Sequence, residues 1–193
     1  MKICVGNVPK DERFYPQKEG WKSIREPNPL LYQILAVPIG ILITYIIYLL
    51  TKNIFSLYLY FSKPIVNIAL ILLITIVHEC LHAVCHPKFG ISDKTILGMW
   101  PQKFLFYAHY EEKLIRNRLL LVYLNPFIFL SLIPVLIVLL FELSLFFLIR
   151  LAIINALLSC GDILGFFLLI IQVPKNAYIK NKGWKSYWKI KYD

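Results

Sequence analysis

Residues 65–87 read IVNIALILLITIVHECLHAVCHP. An apolar run of about 20 residues is what a helix needs to span a bilayer, and this one carries His78, Glu79 and His82 near its end. On a helix, residues four apart share one face, so the two imidazoles stack one turn apart. Such a pair can grip a single zinc ion, and the adjacent glutamate can activate a water on it. Ionisable side chains inside a membrane are expensive and seldom purposeless. The pattern predicts a metal centre on a membrane helix.

The rest of the chain supports a membrane setting. Of its 193 residues, 59% are hydrophobic, and the mean hydropathy is +0.65, far from the balance of a soluble domain. Residues 1–30 hold six Lys/Arg, four acids and four prolines, with no apolar core of a signal peptide. The formal charge is +10, but the basic residues cluster beside apolar spans. That distribution fits membrane flanks and excludes a nucleic-acid footprint. The cysteines at 4, 80, 85 and 160 form no CxxC pair and no secreted disulfide spacing. They read as small hydrophobes, with a thiolate ligand from Cys80 or Cys160 as the alternative.

Four segments are apolar enough to span: 31–50, 65–84, 119–141 and 144–173. The fourth is thirty residues long, so it is tilted, broken or protruding. Lys/Arg counts in the connecting segments run 6, 2, 6, 0 and 6, which puts both termini and the loop 85–118 in the cytoplasm. Within that loop, 94–97 and 103–107 are β-prone and flank Gly98-Met99-Trp100-Pro101-Gln102, predicting a short hairpin at the membrane surface. The fold expected is an all-α, four-span polytopic helical membrane bundle with that hairpin in its central cytoplasmic loop. It divides into a basic N-terminal segment (1–30), a transmembrane metallopeptidase core (31–173) and a basic aromatic interfacial tail (174–193). Gly-Trp-Lys-Ser occurs at both 20–23 and 183–186 and reads as a coincidence of two interfacial stretches.

A hydrolytic zinc site needs a third protein ligand. Asp162, in the last apolar span, is the leading candidate, because a carboxylate there must face the protein interior. With 1.5 Å rise per residue, His78–His82 lie about 20–26 Å down the second span and Asp162 about 27 Å down the fourth. The depths match. His109, Glu111 and Glu112 in the basic loop are rival ligands, and His86 reads as an interfacial polar residue. Glu79 is the expected general base. Asn155, two turns before Asp162, either contacts the substrate backbone or oxyanion, or makes an interhelical hydrogen bond.

His78-Glu79-Cys80-Leu81-His82-Ala83 with Gly161-Asp162 resembles a small bacterial family of zincin membrane peptidases, and more broadly the site-two type of intramembrane zinc metalloproteases. The resemblance runs from about residue 65 to the C-terminus and includes Ala108-His109-Tyr110. It implies zinc on His78, His82 and Asp162, catalysis by Glu79, and a peptide or membrane-protein substrate cut near the cytoplasmic face of a bacterial cell membrane. The site-two proteases carry Asp-Gly after an Asn-Pro element, whereas this chain has Gly-Asp and no proline after Asn155. The alternative is a non-catalytic metal-binding membrane protein such as a sensor, scaffold or ion-handling component.

Overall fold

The computed structural model describes residues 1–53, 64–141 and 145–191. The outer loop expected at 51–64 lies almost wholly outside the described residues, as does the tight turn at Glu142-Leu143. The chain is mostly helical. Helix α1 (Pro29–Thr51) starts where Asn28 accepts the Leu31 N–H at 3.0 Å, with Pro29 at the first turn. Such a cap stabilises a helix by about 1 kcal/mol. Helix α2 (Pro64–Val84) carries the histidine pair.

Helix α3 (Arg116–Phe127) runs through one π-helical stretch (Ile128–Leu132) into α4 (Ile133–Leu140). The fourth apolar segment is broken. It forms α5 (Phe146–Leu158) and α6 (Cys160–Gln172), bent by 52° at Ser159. By length and composition, α1, α2 and the α3–α4 rod can each cross a membrane, and the bent pair makes a possible fourth span. Ile34, Ile41 and Leu42 on α1 and Ile68, Leu72 and Ile76 on α2 are all exposed. An outer surface so uniformly apolar is suited to lipid rather than water.

Two sheets correct the expectation of a single hairpin on an all-α body. The expected hairpin is present as β3 (Thr95–Trp100) against β4 (Leu105–Tyr110), and β1 (Lys2–Val5) adds to it in parallel. The order β1-β3-β4 leaves β4 as an edge. The second sheet has the order β2-β7-β6-β5, from Lys22–Ser23, Lys185–Ile190, Ala177–Lys182 and Leu114–Ile115. The tail's mixture of aromatics and lysines is thus strand alternation, with Ala177 and Ile179 buried on one side. Gly183, at φ +60, opens the two-residue turn between its strands. Both Gly-Trp-Lys-Ser copies run into this one sheet, where Lys22 faces Trp188 and Ser23 faces Tyr187.

The N-terminal segment is laced to the tail hairpin. Gly183 N–H donates to the Pro9 carbonyl at 3.1 Å, Lys180 pairs with Asp11 at 2.9 Å, and Trp184 Nε1 donates to the Pro27 carbonyl at 3.0 Å. The Lys180 ammonium beside Asp11 holds its carboxyl below the usual range. Gln33 of α1 donates to the Lys103 carbonyl at 3.1 Å, tying the β3–β4 turn to the start of α1. The helices meet on Ile47, Val135, Val138, Ile149 and Ala152, and a second core of Leu119, Val122, Leu169 and Ile179 joins α3 and α6 to the tail sheet. Between helices and sheets lies a cavity of about 600 Å³.

Candidate metal centre

His78 and His82 project from one face of α2 into that cavity and are both buried. Their rings stand edge to face, with centroids 4.7 Å apart. His78 Nδ1 lies 2.8 Å from Asn155 Oδ1, and His82 Nδ1 lies 2.7 Å from the Val122 carbonyl. Both partners are oxygens that only accept, so each Nδ1 carries a proton, and in the neutral ring each Nε2 has its lone pair free for a metal. The two Nε2 atoms are 3.1 Å apart. Asp162, in the first turn of α6, sets Oδ2 3.0 Å from His78 Nε2 and Oδ1 3.3 Å from His82 Nε2.

Two imidazoles and a carboxylate therefore converge from two helices, with His78 and Asp162 84 residues apart in sequence. Zinc–ligand bonds of about 2.0–2.2 Å in a tetrahedron separate ligand atoms by about 3.3–3.6 Å, close to the separations seen here. Glu79 shares the cavity, and its Oε2 is buried with no hydrogen-bond partner. One ligand atom each from His78, Glu79 and His82 fall within 4.8 Å of one another. Asp162 lies nearer both nitrogens than that envelope requires, so it is the better third donor and Glu79 stands beside the set. The orphaned carboxylate oxygen next to three convergent donors fits a metal and its water.

The surroundings hold this geometry. Asn155 is fully buried, and its Nδ2 lies 3.0 Å from the Pro126 carbonyl, 2.9 Å from Ser131 Oγ and 3.2 Å from Ser159 Oγ. Both ends of its amide are engaged, and it does not line the cavity. Its bonds are those of the interhelical alternative, and they orient His78. Asn125 Nδ2 donates to the Leu81 carbonyl at 2.7 Å. That carbonyl is free because Cys85 N–H turns instead to His82 at 3.1 Å as α2 tightens at its end. Ser131, Ser159, Asn125 and the Val122 carbonyl were not foreseen. The one signal for them was Asn125-Pro126 inside an apolar span.

The other candidates make different contacts. Glu111 pairs with Lys2 at 3.8 Å and Glu112 with Lys94 at 3.3 Å, although Glu112, His86 and His109 line the same cavity. His109 is buried on β4, and His86 is buried beside the Tyr110 ring at 5.3 Å rather than exposed at an interface. Burial pushes both imidazoles down to about 4. Cys80 is exposed on the far side of α2, which removes it as a ligand.

This is the arrangement of a zincin, a helix-borne histidine pair with a glutamate between them. A family model described as "Putative zincin peptidase" matches residues 71–178, more than half of the chain, and the protein belongs to that family. No curated protein and no solved structure matches it.

Proposed function

We propose that this protein is a zinc-dependent peptidase of the site-two type, working inside a bacterial cell membrane near its cytoplasmic face. The observation that carries the reading is the convergence of His78 Nε2, His82 Nε2 and the Asp162 carboxylate beside the unpartnered oxygen of Glu79. His78, His82 and Asp162 would hold the ion. Zinc in such a site polarises the scissile carbonyl and acidifies water. Glu79 accepts a proton from the attacking water and returns it to the departing amine, so one water and one amide become a carboxylic acid and an amine, which ionise to carboxylate and ammonium. Asn155 and the Val122 carbonyl keep the imidazoles in the tautomer and direction this requires.

Substrate access follows from the sheet. The edge strand β4 lines the cavity along residues 105–110, and a peptide added to a free edge is held extended. Depth supports a cytoplasmic-side site. His82 lies two residues from the end of α2, and Tyr32, three residues into α1, donates to the Gly161 carbonyl at 2.8 Å. The lysine- and arginine-rich segments flank these same helix ends, as cytoplasmic segments do. Both termini would then be cytoplasmic.

A non-catalytic metal carrier has no use for a glutamate oxygen buried without a partner beside the histidines. Metal analysis of the purified protein in detergent, with a peptide-cleavage assay on it and on Glu79→Gln, tests the reading. A wild-type protein that binds zinc and cuts nothing would leave the carrier standing.

A further inference from the structure

The cavity extends beyond the metal centre. From His78 and Asp162 it continues past Tyr32 and Tyr123 to a second polar end, walled by Glu26 just before α1 and by Asn181, Trp184 and Ser186 of the tail hairpin. Tyr32 links the two ends. Its hydroxyl donates to the Gly161 carbonyl, next to Asp162, while its ring meets Trp184 edge-on with centroids 5.3 Å apart. Tyr123 lines the same cavity as Tyr32, Glu26 and Asp162.

Two acceptors at this far end have capacity to spare. Glu26 Oε2 takes the Ser186 N–H at 2.8 Å and the carboxylate is also bonded by the Ser186 side chain, which still leaves part of what a carboxylate can accept. Among the described residues no lysine or arginine reaches ion-pair distance of it, and Lys185 acts on it only through space. Burial raises the Glu26 carboxyl above its ordinary range, the mark of a charge short of counter-charge. Asn181 Oδ1 is buried with no hydrogen-bond partner. Leaving a buried acceptor unmatched is costly. A carboxylate, an amide oxygen and an indole face together complement a cation rich in N–H groups on an apolar stem.

We propose that this end of the cavity is a subsite for a lysine or arginine side chain of the substrate, with Glu26 as its charge partner, Asn181 Oδ1 as a second acceptor and the Trp184 ring alongside. The inference rests on the peptidase reading and gives it a substrate class. Basic residues gather where membrane spans end on the cytoplasmic side, and in the topology proposed Glu26 lies on that side, three residues before α1. The substrates are then membrane proteins cut beside the basic flank of a span. If Glu26 serves only to cap the Ser186 N–H, losing it weakens the tail hairpin and leaves substrate preference alone.

Peptide pairs that differ only in arginine against citrulline, its uncharged isostere, separate these cases. The full-length protein in detergent, loaded with zinc, should favour the arginine peptide in kcat/KM by about tenfold or more, the worth of one charge-assisted hydrogen bond. Glu26→Gln should bring the ratio to within about twofold, and Glu26→Lys should turn the preference towards a glutamate peptide. Asn181→Ala reads the same ratio if the Glu26 variants do not fold. Cleavage with no arginine preference, or a preference that survives both Glu26→Gln and Asn181→Ala, overturns the subsite and leaves the peptidase standing. If the wild type cuts neither peptide, the peptidase reading falls. Binding of the same pair to Glu79→Gln, followed by fluorescence anisotropy, then decides the subsite. Tighter binding of arginine upholds it, and equal binding ends it.

Discussion

The carbonyl oxygen of Val122 is available to His82, at 2.7 Å, because Pro126 stands four residues further along α3. In an unbroken helix residue 126 would donate its N–H to that oxygen, and proline has none to give. The same proline's carbonyl receives Asn155 Nδ2 at 3.0 Å. One residue on α3 thus acts on both imidazoles of α2, on His82 by what it lacks and on His78 through Asn155. Neither effect involves its side chain touching the metal centre.

Pro126→Ala should therefore weaken the site without removing a ligand. The restored N–H competes with His82 Nδ1 for the Val122 oxygen. Losses at supporting positions of this kind run at about 10–100-fold in metal affinity. A zinc titration with a competing chelator reads the change, and unaltered affinity would show that the freed carbonyl does not orient His82.

Binding and chemistry should separate between two carboxylates. Glu79→Gln keeps both imidazoles and Asp162, so zinc stays and cleavage falls by about two orders of magnitude or more. Asp162→Ala removes the third donor, and most of the zinc affinity should go with it. The two variants together assign the roles: loss of metal from Glu79→Gln, or full metal retention in Asp162→Ala, would exchange them.

His86 and His109 make a pH prediction. Each is held near 4 by burial in the fold, against an unfolded value of about 6.5. Between those values the unfolded chain takes up protons that the native one refuses. Stability is therefore fully present above about pH 6.5 and lost as the pH falls towards 4. Thermal melts of chelator-treated protein should show a drop from pH 7 to pH 5, and part of that drop should vanish in His86→Phe. The comparison with the variant isolates the contribution of His86. An identical slope in the two proteins would exclude His86 as a source.

Orientation is testable separately. A cysteine placed at the exposed position Asp93 should react with membrane-permeant maleimides only, since the loop 85–118 is expected on the inner face. Labelling of intact cells by an impermeant reagent would reverse the topology.

The histidine pair and its glutamate were legible because a fixed spacing on a strongly apolar helix carries the whole signal. Asp162 was reachable by a depth argument that assumed a straight fourth helix. The 52° bend breaks that assumption, but it falls at Ser159, only three residues before Asp162, and shifts the carboxylate little. Nothing in residue type marks the Val122 carbonyl, since every residue has one, and only the proline four positions on distinguishes it. The tail strands were hidden for another reason. Lysines alternating with tyrosine and tryptophan describe an interfacial segment and a half-buried strand equally well, and the pairing of Trp188 with Lys22 and of Tyr187 with Ser23, far away in sequence, decides between them.

Gly40 on α1 has no side chain where the first helix crosses the bend, and a Cβ there would sit 2.9 Å from that of Cys160. That near-contact lets α1 lie against the break while Tyr32, two turns earlier, holds the Gly161 carbonyl. The first helix supplies no donor to the metal, yet it is the mould in which the Asp162 turn is cast. The stretch that defines the family, 71–178, excludes that mould. An excised piece with those limits would keep every ligand and lose the surface that sets one of them in place, so the motif-bearing region is not an autonomous unit.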